Sequence, residues 1–177
     1  MKLKKLVISL AAAAVIFTGC SSKPADNNAG DKTPETDVVT SASVVTDEAS
    51  LVKALGEDGT WIVILKNDFT AKEELVLEGE VKKDGAAEYA GRKIALYDQD
   101  DNRNITASYT LTAPSLTIKS ATTTIKGGTV VGDIYVEANN FTLDKAKVEG
   151  NIYFANEEAQ STFTANESEV TGVTEVK

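Results

Sequence analysis

Gly132-Asp133-Ile134-Tyr135-Val136 recurs eighteen positions downstream as Gly150-Asn151-Ile152-Tyr153-Phe154. The likeness extends upstream: Thr123, Ile125 and Val130 precede the first copy, and Phe141, Leu143 and Val148 precede the second at the same offsets. A degraded third copy holds Phe163, Ala165, Val170, Gly172, Thr174 and Val176, shifted by 22 positions because 155–161 carries an insertion. Each copy contains alternating apolar pairs, a turn and a glycine. A unit this short cannot bury its own apolar face, so it must stack on its neighbours. Three short strands per turn satisfy the spacing and predict a parallel β-helix, with Ile134 stacked over Ile152 and Val136 over Phe154. Gly132 and Gly150 mark a corner at which positive φ is expected.

The preceding stretch is also strand-like. Trp61-Ile62-Val63-Ile64-Leu65, Leu75-Val76-Leu77, Lys93-Ile94-Ala95-Leu96-Tyr97, Ser108-Tyr109-Thr110-Leu111 and Leu116-Thr117-Ile118 are rich in β-branched and apolar residues. Polar or glycine positions punctuate them. A β-sandwich is the competing architecture; a leucine-rich repeat lacks its Leu-x-x-Leu-x-Leu signature here. Before the strands, 46–56 reads as a short helix. Thr46 is its expected N-cap, Asp47 and Glu48 suit the positive end of the helix dipole, and Gly56 suits a left-handed C-terminal position. Leu51, Val52 and Leu55 form its apolar face. Three turns are marginal alone, so this helix must dock on the coil.

In pattern, residues 46–177 resemble short right-handed β-helices of the bactofilin and pectate-lyase-like kinds. The detailed resemblance rests on the two Gly-x-Ile-Tyr rungs, and the helix followed by the Trp61 strand is similar to an N-terminal cap of such coils. The expected fold is therefore all-β: a short, single-stranded parallel β-helix of about five to seven rungs with a capping α-helix.

The chain's start carries a different message. Met1-Lys2-Leu3-Lys4-Lys5 is cationic, 6–17 is apolar, and Thr18-Gly19-Cys20-Ser21-Ser22 follows. That order is the order of a secretory signal peptide. Its apolar run, about 12 residues, is too short to span a bilayer as a helix. Phe17-Thr18-Gly19-Cys20 resembles the lipobox of bacterial lipoproteins, with Phe17 where Leu is usual. The resemblance implies cleavage after Gly19 and a diacylglyceryl group on the Cys20 sulfur. Two acyl chains hold stably where one holds marginally. The expected organisation is a signal peptide at 1–19, a lipid-anchored disordered linker at 20–45 and the β-helix domain at 46–177. The linker, rich in Ser, Thr, Asp, Asn, Ala and Pro, has a typical reach of roughly 25–30 Å. The domain is expected on the outer side of the cytoplasmic membrane.

Composition narrows the chemistry. The chain has no histidine and one cysteine. Ser-His-Asp catalysis and histidine-ligated metals are excluded, and a lipidated Cys20 leaves no disulfide and no thiol nucleophile. Cleavage after Gly19 removes Lys2, Lys4 and Lys5 and no acid, so the formal charge moves from −9 to −12. Such a surface repels nucleic-acid phosphates.

Three features are candidates for function. Alternation turns Ile134 and Val136 inward, hence Tyr135 and Tyr153 outward on adjacent rungs. Their rings either stack on sugars or stabilise the rungs by cross-strand pairing. Asp98, Asp100 and Asn102 alternate as in a calcium loop, although Arg103 and Tyr109 stand where such a loop wants Gly and Glu. The alternative is a solvated turn joining the Leu96-Tyr97 strand to a strand over 105–111. The pectate-lyase likeness raises a basic residue beside an acidic cluster, met here only by Arg103; Arg92 is the other arginine. A domain this short has little room for a lyase groove, so no catalysis and no cofactor are expected, calcium aside. The last residues, Val176 and Lys177, leave an uncovered rung that invites end-to-end pairing. Glu167, Glu169 and Glu175 blunt that edge, and a monomer is expected. The reading is thus a non-catalytic binding or structural envelope module. A polysaccharide-binding module, a self-assembling scaffold and a short polysaccharide lyase are the alternatives.

Overall fold

A computed structural model describes residues 42–80 and 91–177. Residues 1–41, with Cys20, the expected signal peptide at 1–19 and most of the expected linker, lie outside the described residues. The chain enters as β1 (Ala42–Val45) and α1 (Glu48–Leu55), then runs through β2 (Ile62–Leu65), β3 (Phe69–Thr70) and β4 (Leu75–Leu77). Next come β5 (Lys93–Ala95), β6 (Tyr97–Gln99), β7 (Ile105–Ser108) and the long β8 (Thr110–Ile118). Then follow β9 (Thr124–Lys126), β10 (Thr129–Val136), β11 (Thr142–Asp144), β12 (Lys147–Glu149) and β13 (Ile152–Phe154). Helix α2 (Glu157–Ser161) precedes β14 (Thr164–Asn166), β15 (Glu169–Val170) and β16 (Thr174–Val176).

These elements wind into a parallel β-solenoid of about 6 turns. One wall stacks β1-β2-β5-β9-β11-β14; the other two walls join in a sheet ordered around β8, β10, β12 and β13. The repeat read from the sequence is the rung register: Ile134 pairs with Ile152, Tyr135 with Tyr153, and Val136 with Phe154. The degraded copy continues it, with Leu143 beside Ala165 and Phe154 beside Val176. The insertion at 155–161 is α2, whose N-cap Asn156 accepts from the Ala159 amide at 2.8 Å. Inward positions form the core: Val63, Ile94, Ile125 and Leu143 stack on one wall, and Leu116, Ile134 and Ile152 on another, all at most 1% exposed.

Several details differ from expectation. Ala42–Val45, assigned above to the linker, is β1, in parallel register with β2. The apolar Val44 and Val45 alternate across the pleat, so these four residues extend the coil instead of the tether. The N-cap of α1 is Asp47, not Thr46: Asp47 accepts from the Ser50 amide at 2.8 Å, and the Ser50 hydroxyl accepts from the Asp47 amide at 3.2 Å. Gly56 is extended (φ −64°, ψ −177°) and not left-handed. Of the expected apolar face, Leu51 and Leu55 are buried, while Val52 stays 51% exposed.

Gly132 has the anticipated positive φ of 133°. Gly150 does not. It is needed because a Cβ there would run into the Gly132 carbonyl oxygen, just as a Cβ on Gly172 would meet Gly150. The corner is a stack of backbones too close for side chains.

Residues 97–108 form an antiparallel hairpin of β6 and β7 leaving the coil between β5 and β8. The acidic cluster over 98–104 therefore occupies one strand and the hairpin tip, where Arg103 takes φ 67°.

Candidate functional site

Tyr135 and Tyr153 project outward from β10 and β13, because the pleat sends their neighbours Ile134, Val136, Ile152 and Phe154 into the core. Their ring centroids lie 5.4 Å apart with the planes tilted by 31°. The same column carries Val76 and Thr117 on the preceding rungs and Glu175 on the following one. Beside the rings opens a cleft of about 280 Å³, lined also by Val136, Glu137, Phe154, Ala155 and Lys177. The Lys177 ammonium nitrogen sits 3.8 Å from the Tyr153 centroid and 6.0 Å from that of Tyr135.

The adjacent column is closed on itself. Asp133 accepts from both the Asn151 amide and its side-chain Nδ2 at 2.9 Å, and Asn151 Oδ1 accepts from the Val173 amide at 3.0 Å. Asp133 and Asn151 thus tie three rungs together. The tyrosines, by contrast, have ring faces turned to the cleft. Neither Glu137 nor Lys177, the latter noted only for the last rung, is marked in the sequence as a neighbour of the tyrosines. Glu137 follows the inward Val136 and no repeat marks it, while Lys177 meets Tyr153 only because an insertion of four residues leaves the last rung in register.

Asp98 and Asp100 are engaged with different partners. Asp98 accepts from the Tyr109 hydroxyl at 2.6 Å and pairs with Lys66. Hydrogen bonding from Lys66, then from Tyr109, holds its carboxyl below the usual range; the same bond raises the Tyr109 phenol. Asp100 turns into the hairpin tip, accepting from the amides of Asn102 at 2.9 Å and Asn104 at 2.8 Å and from Asn104 Nδ2 at 3.0 Å. Those bonds, Asn104's first, lower its pKa. Asn102 contributes its backbone to this turn. The calcium-loop spacing therefore reflects an ion pair and an Asx-type turn, and among the described residues no three acidic side chains converge on a metal position. Lys66 carried no signal, since it meets Asp98 only through one full turn of the coil.

A second cleft, of about 290 Å³, lies where the hairpin meets the β2–β5 wall. Ile62, Ile64, Ala95 and Tyr97 form its apolar lining, with Lys66 and Asp98 at the rim.

The two arginines occupy different parts of the fold. Arg103 occupies the hairpin tip. Arg92 is 1% exposed and is spent on the end of α1. Its guanidinium donates to the carbonyls of Leu55 at 2.8 Å, Gly56 at 3.0 Å and Thr60 at 3.0 Å, and to those of Ala54 and Glu78. These carbonyls include ones that a helix terminus leaves without intrahelical donors.

Comparison of the chain with protein-family models, with curated proteins and with solved structures finds no match.

Proposed function

We propose that the chain is a lipoprotein of the bacterial envelope, anchored through diacylglyceryl Cys20 outside the cytoplasmic membrane. Its β-helix, akin to the bactofilin and pectate-lyase-like coils, is a monomeric, non-catalytic module that binds polysaccharide. Neither calcium nor another cofactor has a part in this reading. The observation that carries it is the Tyr135–Tyr153 pair: two outward aromatic faces 5.4 Å apart beside an open cleft. Aromatic rings offer apolar contact area with a polar tip, suited to a ligand that is itself amphipathic. Two tests follow. Metabolic labelling with an alkynyl fatty acid should tag the protein and hold it in the membrane fraction, and Cys20→Ser should abolish both; labelling that survives the substitution defeats the anchor. A glycan array probed with the full chain in detergent should show binding that Tyr135→Ala/Tyr153→Ala removes, and an array silent for the parent protein would defeat the glycan reading. Light scattering should return a monomer mass once the detergent is subtracted.

A further inference from the structure

The tyrosine cleft already contains a ligand-like group, and its chemistry is informative. Lys177 places an ammonium 3.8 Å from the Tyr153 centroid, within the distance at which the negative face of an aromatic ring attracts a cation. The second ring lies at the edge of that range, 6.0 Å away. The surroundings favour the same sign of charge. Glu137 lines the cleft, and Glu175 stands in register with Tyr153 on the next rung, one strand spacing away. Among the described residues, Lys177 is the one cationic residue lining the cleft. An anionic ligand would have to face two carboxylates for the benefit of one ammonium. An ammonium-bearing ligand would replace Lys177 on the ring and keep both carboxylates as partners.

We propose that the Tyr135–Tyr153 cleft recognises an amine-bearing glycan, one whose sugars carry free ammonium groups, and that Lys177 is the cleft's own competing occupant. The inference rests on the glycan reading of this cleft and adds the charge of its ligand. In the complex, a sugar ring lies on one tyrosine while its ammonium takes the seat held by the Lys177 nitrogen. Glu137 and Glu175 supply long-range attraction, which salt weakens. The ring contact persists at high salt, because it depends on close approach to the aromatic face.

The test uses the full chain in detergent and three oligosaccharide probes of equal length: glucosamine, N-acetylglucosamine and galacturonate. Calorimetry at physiological salt should rank glucosamine first, at about tenfold over the N-acetylated probe, the scale of one partly desolvated cation–π contact. Lys177→Ala should raise glucosamine affinity severalfold by vacating the seat. Tyr153→Phe, which keeps the ring, should retain binding, whereas Tyr153→Leu, which keeps apolar bulk without the aromatic face, should lose about tenfold. A matched melting curve for the last two variants confirms a common fold. Equal binding of the neutral probe overturns the ammonium assignment and leaves the glycan reading standing. Absence of binding by all three probes defeats both. Weaker glucosamine binding in Lys177→Ala overturns the proposal even if the ranking holds, since Lys177 would then not compete for the seat; undiminished binding in Tyr153→Leu overturns it as well, since net acidity alone would then explain the preference.

Discussion

Arg92 shows how much a single residue carries where a helix joins a coil. A guanidinium offers five N–H donors in a fixed fork. Here it reaches the carbonyls of Ala54, Leu55, Gly56, Thr60 and Glu78, and so fastens the end of α1 to the second turn of the coil. Gly59 belongs to the same arrangement, because a Cβ there would collide with the guanidinium. Replacing Arg92 by Met fills much of the volume and leaves those carbonyls facing apolar atoms. Each buried acceptor left alone costs about 1–3 kcal/mol, and some will recover water. Arg92→Met is therefore expected to destabilise by roughly 3 kcal/mol or more, read from urea unfolding. Arg92→Lys should recover part of the loss, since an ammonium donates three bonds but lacks the fork. Indifference to Arg92→Met would mean that α1 is held by Leu51 and Leu55 alone.

At the scale of elements, the hairpin of β6 and β7 is the part whose stability depends most visibly on pH. Asp98 secures its base to Lys66 and Tyr109, and Asp100 closes its tip. Both carboxyls titrate below their ordinary range when folded. A depressed folded pKa contributes stability that is fully present above the unfolded value and disappears as pH falls through the folded one. The hairpin should therefore loosen below about pH 4. At the other end, the raised Tyr109 phenol contributes stability below the unfolded value of about 10, lost as pH climbs through the folded one. Amide shifts of Asn102 and Asn104, followed by NMR between pH 7 and 2.5, should move together while core amides of β10 and β13 stay put. Shifts that do not change across that window would show that the two carboxylates play no part in closing the turn. The same hairpin shows how a spacing in the sequence maps onto a strand and a turn. Asp98, Asp100 and Asn102 have the spacing of a cation loop, but the spacing arises from alternation in β6 followed by a turn. Nothing local to 98–104 reveals Lys66, which arrives from 32 residues away.

Across the whole molecule, what could be read beforehand follows where the rungs run without interruption. From β9 onward each turn takes 18 or 22 residues, so identical side chains fall at identical offsets and Tyr135 could be paired with Tyr153 from the sequence alone. Before that the step changes from 20 positions, Ala42 to Ile62, to 31, from Ile62 to Lys93 and from Lys93 to Thr124, the last of these turns carrying the β6–β7 hairpin, and the period is lost to inspection. The site was legible to the same extent: its rings repeat, whereas Glu137 and Lys177 come from positions that do not. Such a coil has few long-range supports besides its neighbours, so stability is close to a sum of rung-to-rung terms. Ile134 is fully buried between Leu116 and Ile152, while Val176 is 40% exposed and stacks on Phe154. Ile134→Ala should cost about 2–5 kcal/mol and Val176→Ala well under 1 kcal/mol, because only the first leaves a cavity with packed walls on both sides. Urea unfolding of the two variants at a common temperature measures the difference. Equal losses would mean that the coil melts from its last rung as one unit with its centre, and that the terms along it are not independent.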